Sequence, residues 1–145
     1  MRFEGTLKEF KLVSYACDSN KRPLAEYEQR LSLKRDGAGR IECYTYEPKE
    51  ECRNELFTVD CRAASNLLDL IGTYASEYDR SVLEWPEDNY GEWNLIMENL
   101  RGDLYRATGR LHPDIPAFSR DISNRIRELT GLAFLTAFDG GTGER

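Results

Sequence analysis

WNLIMENLRGDLYRATGR, Trp93 to Arg110, alternates apolar and polar side chains on either side of a polar break. Trp93, Leu95 and Met97 form one row, Asn99 to Asp103 supply a Gly-containing interruption, and Tyr105, Ala107 and Gly109 resume the spacing of two. Successive strand residues point to opposite faces, so this pattern predicts a β-hairpin with one buried face and one in water. An amphipathic stretch lies on each side of it in the chain, and each needs an apolar surface to cover. The hairpin supplies that surface, and it carries no catalytic signature.

Working outward, Ala64, Leu67, Leu68, Ile71, Tyr74, Ala75 and Tyr78 follow one stripe at helical period, with Asp60 placed to cap the first turn. Gly72 within that stripe costs ~1 kcal/mol relative to alanine, which points to close packing there or to a poorly optimised site. On the far side, Phe118, Ile122, Ile126 and Leu129 predict a second helix, with Pro116 in its first turn and Gly131 ending it. Arg120, Asn124 and Arg127 fall on the face opposite that stripe, and Arg125 flanks it. The apolar run LAFLTAF after Gly131 reads as an extra strand or a continued helix, and exposed Phe134 and Phe138 would mark an interface. The Gly-rich end, residues 139–145, is expected to be disordered.

The N-terminal half is rich in strand formers. Phe10, Leu12 and Ser14 share one parity and Leu7 has the other, which predicts a bulge near Lys8–Glu9 or a later start to the strand. A polar turn from Asp18 to Pro23 leads to Tyr27, Leu31 and Leu33, which alternate along the next strand. Asp36 to Gly39 then forms a hairpin connection to RIECYTYE. There Ile41 and Cys43 share one face, while Tyr44 and Tyr46 on the other suit cross-strand packing or a binding platform. Lys49 to Asn54 reads as a polar loop, and Leu56 to Val59 as a short strand. The fold class that results is α+β: an antiparallel sheet of about five to six strands, order βββ(β)αββα, with two helices on one face and a single domain over residues 1–138.

A chain of 145 residues is long enough to bury a core without metals or disulfides. No apolar run approaches the roughly eighteen residues of a membrane span, and the charged N-terminus lacks the apolar segment of a secretory signal, so a cytoplasmic location is expected. Cys17, Cys43, Cys52 and Cys61 include no Cys-x-x-Cys pair and only His112 could join them at a metal, so reduced structural thiols are expected ahead of disulfides or zinc. The net charge of −6 is uneven: residues 51–100 hold three basic and eleven acidic side chains, a local −8. Between the first helix and the hairpin, Asp79, Glu84, Glu87, Asp88 and Glu92 surround Trp85 and Tyr90. Rings held near carboxylates suit a basic or amphipathic protein partner and repel nucleic acid phosphates. Glu84, Trp85, Glu87, Asp88, Tyr90 and Glu92 are therefore the candidate contact residues. The plainer reading is a solvated acidic loop with Trp85 folded back over the core.

Dinucleotide-binding and phosphate-loop glycine patterns, the nucleophile elbow, the zinc-protease helix and the EF-hand loop do not occur, and no cofactor or metal is implied. A lone His112 before Pro113 is a weak candidate for a catalytic base. RFEGTLKEF at the start, Trp93-x-Leu-x-Met, Ala107-Thr-Gly109 and Ile115-Pro-Ala-Phe118 resemble segments of small uncharacterised α+β proteins of gut anaerobic bacteria. The resemblance implies a strand-rich first half, a helix, a late hairpin and a closing helix, and it brings no activity or site residue. Members often follow a lipoprotein signal that is absent here, so anchoring to a membrane is not implied. The expected function is a non-enzymatic protein-interaction module, with self-association to a homodimer as one form of contact. The alternatives are an acidic inhibitor from a phage or mobile element that blocks a basic nucleic-acid-binding defence protein, as anti-CRISPR proteins do, and a small enzyme using His112 or a cysteine.

Overall fold

In the computed structural model, which describes residues 2–141, the chain runs through β1 (Leu7–Cys17), β2 (Pro23–Lys34), β3 (Ala38–Tyr44), β4 (Glu51–Thr58), α1 (Cys61–Glu77), β5 (Gly91–Asn99), β6 (Leu104–Arg110) and α2 (Arg120–Thr130). The strands form one antiparallel sheet in the order β4-β3-β2-β1-β5-β6. The expected α+β class, with six strands and two helices, is the one observed. No helix among the described residues is long and apolar enough to cross a membrane.

The quoted stretch folds as β5 and β6, with Trp93 opposite Gly109, Leu95 opposite Ala107 and Met97 opposite Tyr105. Gly109 gives the indole its room, because a Cβ there would overlap the ring of Trp93. The turn is ordered by buried Asn99, whose Oδ1 accepts from the Arg101 and Asp103 N–H groups at 3.0 and 2.9 Å. Its Nδ2 donates to the Glu4 carbonyl at 3.0 Å, which ties the hairpin end to the N-terminus. Phe10 and Leu12 of β1, Leu31 and Leu33 of β2, and Ile41 of β3 extend the buried row across the sheet. The register of β1 against β5 shifts between Leu7 and Glu9, so the bulge near Lys8–Glu9 exists and returns Leu7 to the buried row.

Both helices bury their stripes against this row. The Ala63 N–H donates to Asp60 Oδ2 at 2.9 Å, which caps α1 as its sequence implies. Gly72 sits where a Cβ would lie 3.4 Å from the Phe3 ring, so close packing explains it. Gly131, at φ 72°, ends α2 with its N–H donating to the Arg127 carbonyl.

Several boundaries differ from expectation. Glu51 to Asn54, read as loop, are the first half of β4. This edge strand is held by main-chain bonds to β3 and is mostly exposed, so it needs no apolar alternation. Pro116 lies outside α2, because Ala117 takes φ 70° and Ser119 is the helix cap. Phe118 is buried all the same, with ring centroids 4.7 Å from Phe138 and 5.3 Å from Trp93. Residues 132–138 are neither strand nor helix but a set of turns that closes the core with Leu135, Ala137 and Phe138. Phe138 is therefore no interface residue, and half-buried Phe134 lies 3.9 Å beneath the Arg53 guanidinium.

Arg127 is not on a solvated face. It is buried, and its two terminal nitrogens donate to Asp139 Oδ1 at 3.0 Å and Oδ2 at 2.6 Å. Asp139 is 1% exposed. The tail expected to begin there is thus a folded part of the domain through Gly141, and residues 142–145 lie outside the described residues. The helical stripe could not show this, because the partner that justifies a buried guanidinium comes from a segment with no periodicity.

Candidate functional site

The sheet face turned away from the helices is polar along most of its length. Arg30 Nε sits 2.6 Å from Glu28 Oε2, the Tyr44 hydroxyl donates to Glu42 at 2.8 Å, and the Arg30 guanidinium lies 4.8 Å over the Tyr44 ring. Tyr44 is therefore a fixed part of this network rather than a platform.

At the other end of β1 and β2 the pairing breaks. Tyr15 pairs with Glu28 but Cys17 pairs with Pro23, so Leu24 to Tyr27 stand opposite Ala16 alone. Tyr27 is thereby turned out of the row of Leu31 and Leu33, with which its parity placed it. Its ring lies 5.8 Å from Tyr15 and 4.8 Å, edge-on, from Tyr46. These three rings line an open cleft of about 680 Å³ that Trp85 and Pro86 also wall.

The wall belongs to the acidic loop, and its position is fixed by bonds to the rest of the fold. Lys21 Nζ, from the β1–β2 turn, donates to the Asn89 carbonyl at 2.6 Å and the Glu87 carbonyl at 3.2 Å. Asn89 is buried and donates to the Pro86 carbonyl at 2.8 Å. The Cys17 N–H donates to the Tyr90 carbonyl at 2.9 Å, which closes the loop onto β1. Gly91 permits this approach: at φ 118° its backbone passes so near the Tyr15 carbonyl that a Cβ would collide with it.

Of the residues expected to make contact, Trp85, Glu87 and Glu92 line the cleft. Glu84 and Asp88 are exposed on the same loop beyond its lining. Tyr90 turns toward the core, stacked near His112 at 6.5 Å and packed over Gly140. Trp85 does not cap the core; it stands in the cleft wall with the Arg80 guanidinium 5.5 Å over its ring. The loop's charge is only partly compensated. Glu92 pairs with Arg110 at 2.9 Å and Asp79 with Arg2 at 3.7 Å, whereas Glu84, Glu87 and Asp88 form no ion pair among the described residues. Hydrogen bonds from the Ser81 side chain and backbone hold Asp79 below the usual carboxylate range.

The hydroxyls of Tyr15, Tyr27 and Tyr46 form no hydrogen bond among the described residues, unlike those of Tyr44 and Tyr78. Burial, then the charge of Glu28, raises the Tyr15 pKa; burial, then the neighbouring Tyr46, raises that of Tyr27. Both remain protonated donors at neutral pH. Only Tyr46 of these three stood out in the sequence as a candidate for contact. Tyr15 and Tyr27 were hidden because the bulge that joins them has no local signature.

His112 is half-buried away from the cleft lining, and its Nδ1 accepts from the Asp114 N–H at 3.1 Å. All four cysteines are free thiols, with Cys43 buried and Cys52 and Cys61 exposed. Compared with protein-family models, with curated proteins and with solved structures, the chain finds no match in any of the three. No residue role is carried over from a relative, and the geometry stands by itself.

Proposed function

We propose that this chain is a non-enzymatic interaction module that seats a segment of a basic protein partner in the Tyr15–Tyr27–Tyr46 cleft, with the acidic loop as its rim. The observation that carries this reading is that Trp85 and three tyrosines, whose hydroxyls form no hydrogen bond among the described residues, line one open cleft. Such rings supply large contact area at low conformational cost, and buried aromatic anchors dominate protein contacts. Glu84, Glu87 and Asp88 add a negative rim that steers a cationic partner. Two exposed free thiols fit a reducing compartment, in keeping with a cytoplasmic setting.

Selection from a displayed random-peptide library tests it. Peptides rich in lysine or arginine are expected to be enriched, with binding that weakens above about 0.15 M salt, where the screening length is ~8 Å. Trp85→Ala, and separately the triple change Glu84→Lys, Glu87→Lys, Asp88→Lys, should each abolish enrichment. Selection of peptides whose binding ignores both variants would reject the reading.

A second reading draws on the same three uncompensated carboxylates: an acidic inhibitor that occupies the nucleic-acid channel of a basic defence protein. It differs in requiring that DNA or RNA compete for the partner, whereas an interaction module is indifferent to either.

A further inference from the structure

We infer that β4 pairs edge to edge with β4 of a second copy of the chain, antiparallel about a two-fold axis at Asn54, which joins two six-stranded sheets into one. No residue of β4 lines the cleft, so this inference is independent of the interaction reading above.

The two edges of the sheet differ. On β6 the Tyr78 hydroxyl donates to the Thr108 carbonyl at 2.7 Å and Arg80 Nη1 to Thr108 Oγ1 at 2.6 Å, so the segment that follows α1 already occupies that edge. β4 pairs with β3 alone among the described residues. Main-chain bonding alternates along an antiparallel strand. The Val59 N–H donates to the Gly37 carbonyl at 2.9 Å, and the register continues with Phe57 opposite Gly39, Glu55 opposite Ile41 and Arg53 opposite Cys43. Those residues therefore bond to β3, while Asn54, Leu56 and Thr58 turn their main-chain groups outward. Leu56 is 73% exposed. Unpaired main-chain groups beside an exposed leucine are a template for another strand.

Charge decides which strand. Like charges along an edge keep copies apart, but Arg53 and Glu55 alternate in sign on one face of β4. Outward-bonding residues must face one another, so the axis passes through a residue and never between two. At Asn54 it sets Arg53 opposite Glu55 of the second copy, and Glu55 opposite its Arg53. Leu56 then lies beside Cys52 of that copy. An axis at Arg53 or at Glu55 would set like charges directly opposite, which destabilises a pair of strands. An axis at Leu56 would set Glu55 against Phe57 and Arg53 against Val59, with neither charge matched.

The guanidinium is already placed for this contact. Arg53 Nε holds Glu26 at 2.9 Å, and its Nη1 stands 3.7 Å from Glu55 of its own chain. The register of β4 shifts between Cys43 and Tyr44, which puts a bulge at Cys52 and ends the ladder there. The contact is accordingly short, and its dimer weak and reversible.

Sedimentation equilibrium of the full chain tests this. The wild type should show a monomer–dimer equilibrium below ~1 mM. Glu55→Arg, a change at an exposed side chain, should weaken it by about tenfold or more, a ratio worth ~1.4 kcal/mol. The exchange of both charges, Arg53→Glu with Glu55→Arg, should restore it, which general damage to the fold would not do. The outward amides of Asn54 and Leu56 should gain protection from hydrogen exchange as concentration rises. Directly opposed residues of a hydrogen-bonded pair lie ~5.5 Å apart at Cα, within reach of a disulfide. Asn54→Cys, in a chain carrying Cys52→Ser and Cys61→Ser, should therefore cross-link to its own copy under oxidised glutathione, and Thr58→Cys in the same chain should not. A chain that stays monomeric up to ~1 mM overturns the inference, whatever other strand the edge then accepts. A dimer that ignores Glu55→Arg and fails to cross-link through Asn54→Cys uses another surface and overturns it too.

Discussion

Trp93 and Trp85 lie eight positions apart in the sequence and on opposite sides of the sheet. Trp93 is fully buried, contacts Tyr78, Phe118 and Phe138, and has an indole N–H without an acceptor among the described residues. Trp85 is half-buried, lines an open cleft, and has the Arg80 guanidinium over its ring. The two show what separates a packed aromatic from an available one. The first is fixed by shape on every side, at the cost of an unmet polar group. The second is held by the backbone of its loop, through Lys21 and Asn89, while its own surface stays free.

The contrast breaks most visibly under truncation. Trp93→Ala should cost ~3–5 kcal/mol, the usual range for emptying an aromatic site in a core. Trp85→Ala should stay within about 1 kcal/mol, as a change away from core and caps does. Urea denaturation of both variants measures the difference, and equal losses would mean that Trp85 is a core residue after all. Next comes the closing segment. Asp139→Ala strands the buried Arg127 guanidinium, for which ~3–5 kcal/mol is the expected loss, by the same measurement. A small effect would place Asp139 in a mobile end rather than in the fold.

Thiol chemistry sharpens the comparison of faces without destabilising either. Burial pushes the Cys43 thiol up to about 12, against ~8.5 for an unfolded thiol. Between those values the unfolded chain gives up its proton and the native chain keeps it. This contribution is therefore intact below ~8.5 and declines as pH rises toward 12. Alkylation followed by mass spectrometry at about pH 8 should label Cys52 and Cys61 readily and Cys43 only on unfolding. The smallest effects belong to the ends of elements and the open rim. Asp60→Ala should remove a cap worth ~1 kcal/mol. The triple lysine change in the acidic loop should alter stability by no more than about 0.5 kcal/mol, which makes its effect on binding readable by itself.

The two faces were not equally legible in the sequence. The hairpin and both helical stripes follow from local spacing, because burial against one flat surface imposes a period. The Asp60 cap and the Gly131 stop follow from cap chemistry, and the parity change near Lys8–Glu9 left a bulge or a later strand start open. β4 was only half seen, since an edge strand owes its place to main-chain pairing rather than to side-chain alternation. The cleft was half seen in a different way. Trp85, Glu87 and Glu92 stood out by composition and Tyr46 by its strand face, yet Tyr15 and Tyr27 did not.

Local periodicity therefore predicted the apolar row of the hairpin and the two helical stripes that form the closed face. Tertiary structure alone decided three things: that Tyr27 leaves its row to join Tyr15 and Tyr46, that Tyr90 turns inward while Trp85 stays out, and that Arg127 is buried on Asp139. In each case the partner comes from a distant or aperiodic segment. A pattern of two or of 3.6 reports which side of an element is apolar, and it carries no information about what another element brings to that side.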